Sequence, residues 1–148
     1  MSSTSYTERT LEALRDRGYV PGKVELFLPH AGPHGMKRDL YGLFDYVAMK
    51  RGVELVGVQS TGPNGYSSHL RTFAESEHID NWLSIPGLRA ELWCWELKPK
   101  VEGSKVLEWQ PRVVLITAEL LAAQRAKPRK PSEKPKTKDP GIPGYIRP

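Results

Sequence analysis

The chain has 148 residues, with 22 Lys and Arg against 17 Asp and Glu, a formal net charge of +5 and a hydrophobic fraction of 39%. That length suits a single domain with its own core. No stretch approaches the roughly 20 apolar residues of a bilayer span, and Met1 to Ser5 lead into no apolar run, so the expectation excludes a membrane partner and a secretory signal.

Ser5-Tyr6-Thr7-Glu8 has capping-box spacing, and Leu11 and Leu14 form an apolar stripe before Gly18, which predicts a first helix over about residues 6–17. Val24 to Leu28, between Gly22 and Pro29, has strand composition. Pro29 to Met36 reads as a turn-rich loop. Leu43–Met49 and Val53–Gln59 are strand candidates joined by the short turn Lys50-Arg51-Gly52, so they are expected to pair antiparallel. Ser60 to Ser67 is too rich in Gly, Pro, Asn and Ser for a regular element. A helix is expected from Ser68 to about Leu83, with the polar stretch Glu75 to His78 as the place where it breaks in two. Ala90–Leu97 and Val106–Ile116 follow as strands, the second at an edge or bent because Pro111 lacks an N–H. Thr117 to Gln124 reads as a short helix with Thr117 as its cap.

The sum is helix, three strands, helix, two strands, helix, an α/β (α+β) chain with a central sheet. Cys94 sits between Trp93 and Trp95 and reads as a small buried side chain; one cysteine allows no internal disulfide or zinc cluster, which fits a reducing, cytoplasmic setting. Trp82, Trp93, Trp95 and Trp109 read as core or sheet-face residues, and His30, His34, His69 and His78 have no compact zinc spacing.

The charge is unevenly spread. Residues 1–121 hold 14 basic and 15 acidic side chains, residues 122–148 hold 8 and 2, so a nearly neutral folded body is expected to carry a basic, proline-spaced tail. Such a tail has too few core-forming residues to offset the entropy of ordering it. It suits either nonspecific attraction to phosphates or a solubilising role.

Within the body, Asp45 is flanked by apolar residues, where a carboxylate is costly to desolvate unless paired or bound to a cation. Gln59 ends the neighbouring run and Thr61 shares its strand parity. The turn between the strands places Asp45 and Gln59 at the same end of the sheet, a charged and a neutral oxygen suited to a hard cation.

Asp45 followed by Gln59-Ser60-Thr61 resembles the PD-(D/E)xK nuclease superfamily, in particular its small phage-type and Holliday-junction-resolvase-like members with Gln at the second acidic position. Thr10 to Tyr19, Val24-Glu25, Lys37 to Asp45, Val58 to Thr61 and Leu92 to Trp95 carry the resemblance across roughly residues 7–116. It implies a restriction-endonuclease-like core, a central mixed sheet flanked by helices, in a bacterial or phage-infected cell. It further implies Mg²⁺-dependent hydrolysis of DNA phosphodiester bonds, with Mn²⁺ as a substitute ion, on branched or structured DNA, and is compatible with a homodimer. Asp45 matches the motif Asp, Gln59 the Asp/Glu position and Thr61 the Lys position. Glu12, or the nearby Glu8, matches the first-helix Glu. The implied metal ligands are Asp45, Gln59, Glu12 and a carbonyl at Val58, with Glu25 as a further acid. Gln59 brings no charge and Thr61 no ammonium, so Lys98 or Arg71 would supply the missing cation, or the position is vacant. A catalytically weak or inactive DNA-binding protein of the same fold is the alternative.

The expected DNA contacts are Lys37 and Arg38 before Asp45, then Ser60, Asn64, His69 and Arg71 in and after the loop, and Lys98. Hydroxyls, backbone N–H groups near a helix start and guanidinium groups all suit phosphate oxygens. The same loop also fits an ordinary capped surface turn.

Overall fold

A computed structural model describes residues 5–127 except Glu25 and Ala31, with the backbone alone at Leu26 and Lys37. The basic stretch from residue 128 onward and the Glu25 carboxylate lie outside the described residues. Helix α1 (Tyr6–Asp16) opens with the expected capping box: Ser5 Oγ accepts the Glu8 N–H at 3.1 Å and a Glu8 carboxylate oxygen accepts the Ser5 N–H at 3.3 Å. Two initial helical N–H groups gain acceptors this way.

The strands differ from expectation at the front of the chain. β1 (Val20–Lys23) carries turn chemistry in its Pro21-Gly22, yet it pairs antiparallel with β4 (Tyr46–Lys50). It does so at the sheet edge, where the donor missing from proline costs no ladder bond. β2 (Leu26–Leu28) and β3 (Met36–Arg38) form a separate small hairpin across the segment expected to be loop. Leu43 and Phe44 belong to a turn closed by a Leu40–Phe44 bridge, so β4 starts only at Tyr46.

β4 and β5 (Glu54–Thr61) make the expected antiparallel pair, and β5 runs two residues beyond Gln59. α2 (Tyr66–Glu75) and α3 (Ile79–Ser84) are separated at Ser76–His78, where the polar stretch interrupts the apolar stripe. The crossover they make leads into β6 (Leu88–Pro99), which lies parallel to β5; β7 (Leu107–Leu115) then pairs antiparallel with β6 at the far edge, Pro111 opposite Trp95. α4 (Ala118–Arg125) is capped by Thr117, whose hydroxyl accepts the Leu120 N–H at 3.1 Å. It extends beyond Leu121, and Arg125 donates to the Ala74 carbonyl at 2.9 Å.

The result is a mixed α/β fold with the main sheet ordered β1-β4-β5-β6-β7 and helices on both faces. On one face α1 lays Leu14 against Tyr46, Ala48, Val56, Val58, Trp93 and Trp95. On the other, α2, α3 and α4 cover Phe44, Ala90, Leu92 and Cys94. Each Val, Leu or Phe fully buried in these layers contributes about 1.5–3 kcal/mol. Gly57 is required on the second face: a Cβ there would stand 2.7 Å from the Phe44 ring, which packs in turn on Trp82 at 4.7 Å between centroids. That packing sets the turn immediately before Asp45. Among the described residues no helix is long and apolar enough to cross a membrane.

Candidate functional site

β4 and β5 part company after the Tyr46–Val58 pair, and β5 continues to Thr61 with β6 alone as its partner. Asp45 occupies this point of divergence. Its backbone is held from both sides: its N–H donates to the Val58 carbonyl at 2.9 Å, and its own carbonyl accepts the Val24 N–H at 2.9 Å. The Val58 carbonyl, expected as a metal oxygen, thus holds Asp45 in place. With the main chain fixed, the Asp45 carboxylate reaches the β5 backbone, where Oδ2 accepts the Ser60 N–H at 3.5 Å.

Gln59 brings its oxygen to the same donor. Its side-chain Nε2 donates to the Leu43 carbonyl at 3.1 Å, which turns Oε1 toward Ser60, and Oε1 accepts the same Ser60 N–H at 3.1 Å. The amide orientation follows from this network, since only the NH₂ end can serve a carbonyl. Gln59 is 5% exposed, so its position is set by packing as well as by these bonds. The two residues expected to converge therefore do, through one shared N–H. Both present hard oxygen donors of the class taken by Mg²⁺ and Mn²⁺, with one negative charge between them. Among the described residues no three His, Cys, Asp or Glu side chains cluster to hold a metal ion.

The remaining expected residues are distributed around this pair. Ser60 turns its hydroxyl to Tyr46, 3.2 Å from the phenol oxygen. Thr61 closes β5, and a Cβ at Gly65 would stand 1.7 Å from its Oγ1, so only glycine permits the tight return into α2. Asn64 is exposed in that turn, and His69 and Arg71 are half-buried on α2. Lys98 lies where β6 and β7 extend past β5, paired with Glu96 at 3.1 Å. Arg38 is half-buried on β3, and Lys37 is opposite Phe27 in the hairpin.

The first-helix acids take other positions. Glu8 is engaged in the capping box. Glu12 is exposed and, among the described residues, makes no hydrogen bond or ion pair with Asp45 or Gln59. It lines a shallow depression of about 210 Å³ with Arg9, Ala13, Asp16 and Trp95, on the α1 face of the sheet. Cys94 is buried, and burial pushes its thiol above the ordinary range, which leaves it a protonated packing residue.

One group near the site carries no signal in the sequence. Thr61, Cys94 and Arg112 stand side by side across β5, β6 and β7, and the Arg112 guanidinium lies 4.2 Å over the Tyr66 ring at the start of α2. Only the strand order reveals this row, because the three residues are far apart in the chain. A second polar cluster runs along the α1 face of the sheet, from the start of β5 to the row of Ser60: Tyr19 donates to Glu54, Arg89 donates to Glu54 at 3.0 Å and to Glu91 at 3.5 Å, and Trp93 Nε1 donates to Glu91 at 3.1 Å. No family model, curated protein or solved structure matches the chain.

Proposed function

We propose that this protein is a metal-dependent DNA endonuclease with a restriction-endonuclease-like core, hydrolysing phosphodiester bonds at Asp45 and Gln59. The observation that carries the reading is the meeting of Asp45 Oδ2 and Gln59 Oε1 at the Ser60 N–H, at the place where β4 and β5 diverge. The antiparallel β4–β5 pair followed by a helical crossover to parallel β6 supports it. A single carboxylate suffices for Mg²⁺, which commonly keeps several waters and takes its remaining oxygens from substrate phosphate.

When bound, Mg²⁺ supplies a polarised phosphoryl oxygen and a water of lowered pKa. The chain's own part is positional. Asp45 provides the charge that attracts the cation, and its doubly held backbone fixes where that charge stands. Gln59 offers a neutral oxygen oriented by the Leu43 carbonyl, which avoids placing two carboxylates side by side.

A second reading, a DNA-binding protein of the same fold that cleaves poorly or not at all, is favoured by two specific features. Gln59 Oε1 is already engaged by the Ser60 N–H, and Thr61 has no charge to stabilise the transition state. Incubation with labelled linear, nicked and four-way DNA in Mg²⁺ or Mn²⁺ separates the readings. Cleavage supports the endonuclease, binding without cleavage selects the second reading, and neither binding nor cleavage removes both.

A further inference from the structure

We infer that Arg112, laid flat on the Tyr66 ring, grips a backbone phosphate of the DNA strand that enters the Asp45–Gln59 site. The inference rests on the DNA-acting reading above and names a contact that the reading itself lacks.

Among the described residues three guanidinium groups lie on aromatic rings, and their surroundings differ. Arg9 stands 5.3 Å over Trp109 and shares its depression with Glu12 and Asp16, so two nearby acids offset its field. Arg17 stands 4.6 Å over Trp93 at the C-terminal cap of α1, on the α1 face of the sheet, where that ring also donates to Glu91. Arg112 stands closest to its ring, at 4.2 Å. Among the described residues its guanidinium has no hydrogen-bonded or ion-paired acceptor. The acid two residues along β6 from its cross-strand partner Cys94 is Glu96, which is paired with Lys98 at 3.1 Å. By contrast, Arg89 and Arg125 spend their donors on carboxylates.

Position gives this guanidinium its use. Thr61 pairs with Cys94 and Cys94 with Arg112, so the three side chains share one face and Arg112 starts about 10 Å from Thr61 at ordinary strand spacing. Tyr66 follows Gly65, which backs onto Thr61 Oγ1, so the stacked pair stands beside the end of β5. Gln59 faces the same layer two residues earlier on that strand. A guanidinium with its face on a ring keeps its N–H edge for a planar, bidentate partner, and phosphate oxygens match that fork. The ring also limits the rotamers Arg112 must give up on binding. A DNA strand presented to Asp45 carries phosphates on either side of the one attacked, and Arg112 stands where one of them passes.

The test is the affinity of the full chain for a labelled random-sequence DNA duplex in EDTA, across a series of NaCl concentrations. Arg112→Gln should weaken binding about tenfold and reduce the slope of log affinity against log salt by about 0.9, the share of one phosphate contact. Arg112→Lys should keep the slope and recover part of the affinity, since the charge remains and the fork is lost. Arg9→Gln removes the same charge on the other face and should change binding far less. If the parent binds and Arg112→Gln matches it in affinity and slope, the inference falls while the DNA-acting reading stands. An equal loss from Arg9→Gln overturns it as well, because total charge would then explain both. A parent chain that does not bind DNA removes the reading under Proposed function and this inference together.

Discussion

On the α1 face of the sheet Glu54 and Glu91 are each held by two side-chain donors; at the end of β5 Asp45 shares one backbone N–H with a neutral amide. In the first cluster Arg89 bridges both acids and the neutral donors Tyr19 and Trp93 supply a second hydrogen bond to each, so both carboxylates are engaged within the protein. The second brings the Asp45 and Gln59 oxygens to one N–H, and on the face of Gln59 the Arg112 guanidinium lies against a ring. A polar cluster closed on itself contributes to stability, whereas a guanidinium with no acceptor among the described residues is suited to a ligand that brings its own negative charge.

The largest stability effect should come from breaking the closed cluster. Glu54 has a side chain 10% exposed, whereas Arg89 is 42% exposed and can be solvated once its partner is gone. Glu54→Ala should therefore cost about 2 kcal/mol in urea unfolding, less than for a fully buried pair. DNA binding should be unchanged. A loss of binding with no loss of stability would erase the distinction between the two clusters.

Gln59→Glu sharpens the comparison from the other side. It places a second carboxylate beside Asp45 and removes the donor to the Leu43 carbonyl. Without divalent ions the variant should lose about 1–2 kcal/mol from like-charge repulsion and the lost bond. Millimolar Mg²⁺ should restore more stability to it than to the parent. Equal Mg²⁺ responses in thermal unfolding would count against a cation site there.

A smaller effect belongs to pH. Burial first, then the hydrogen bond to Glu54, pushes the Tyr19 phenol from its ordinary 10.0 up to about 12. A raised folded pKa gives a contribution fully present below 10.0 and lost as pH rises toward about 12. The Tyr19 hydrogen bond in turn holds Glu54 below its ordinary 4.5, a contribution present above that value and lost as pH falls through the depressed one. Tyr19→Phe should cost about 1 kcal/mol at neutral pH and flatten the alkaline loss. An unchanged alkaline slope in urea titrations would show that Tyr19 is not the group responsible.

Local signals in the sequence predicted the local features of the fold. Ser5 with Glu8 and Thr117 with Leu120 are caps spelled out within a few residues, and the short turn after Lys50 joins the β4–β5 pair. The break near Ser76 follows from polar residues in an apolar stripe. What long-range pairing decides was harder to read. Pro21-Gly22 becomes a strand only because β4 offers it an edge, and the β2–β3 strands are too short to show a period. The meeting of Asp45 and Gln59 followed from their antiparallel strands, whereas the placing of Glu12 depended on which face of the sheet α1 covers. Arg112 was illegible for the same reason, since its neighbours Thr61 and Tyr66 come from a distant part of the chain.

The most direct test of the central claim compares the parent and Asp45→Asn in Mg²⁺-dependent cleavage of labelled four-way DNA, with urea unfolding measured on the same preparations. The account predicts cleavage by the parent, a loss of at least about 100-fold in rate for Asp45→Asn, and little change in unfolding. Cleavage by Asp45→Asn at the parent's rate would contradict it.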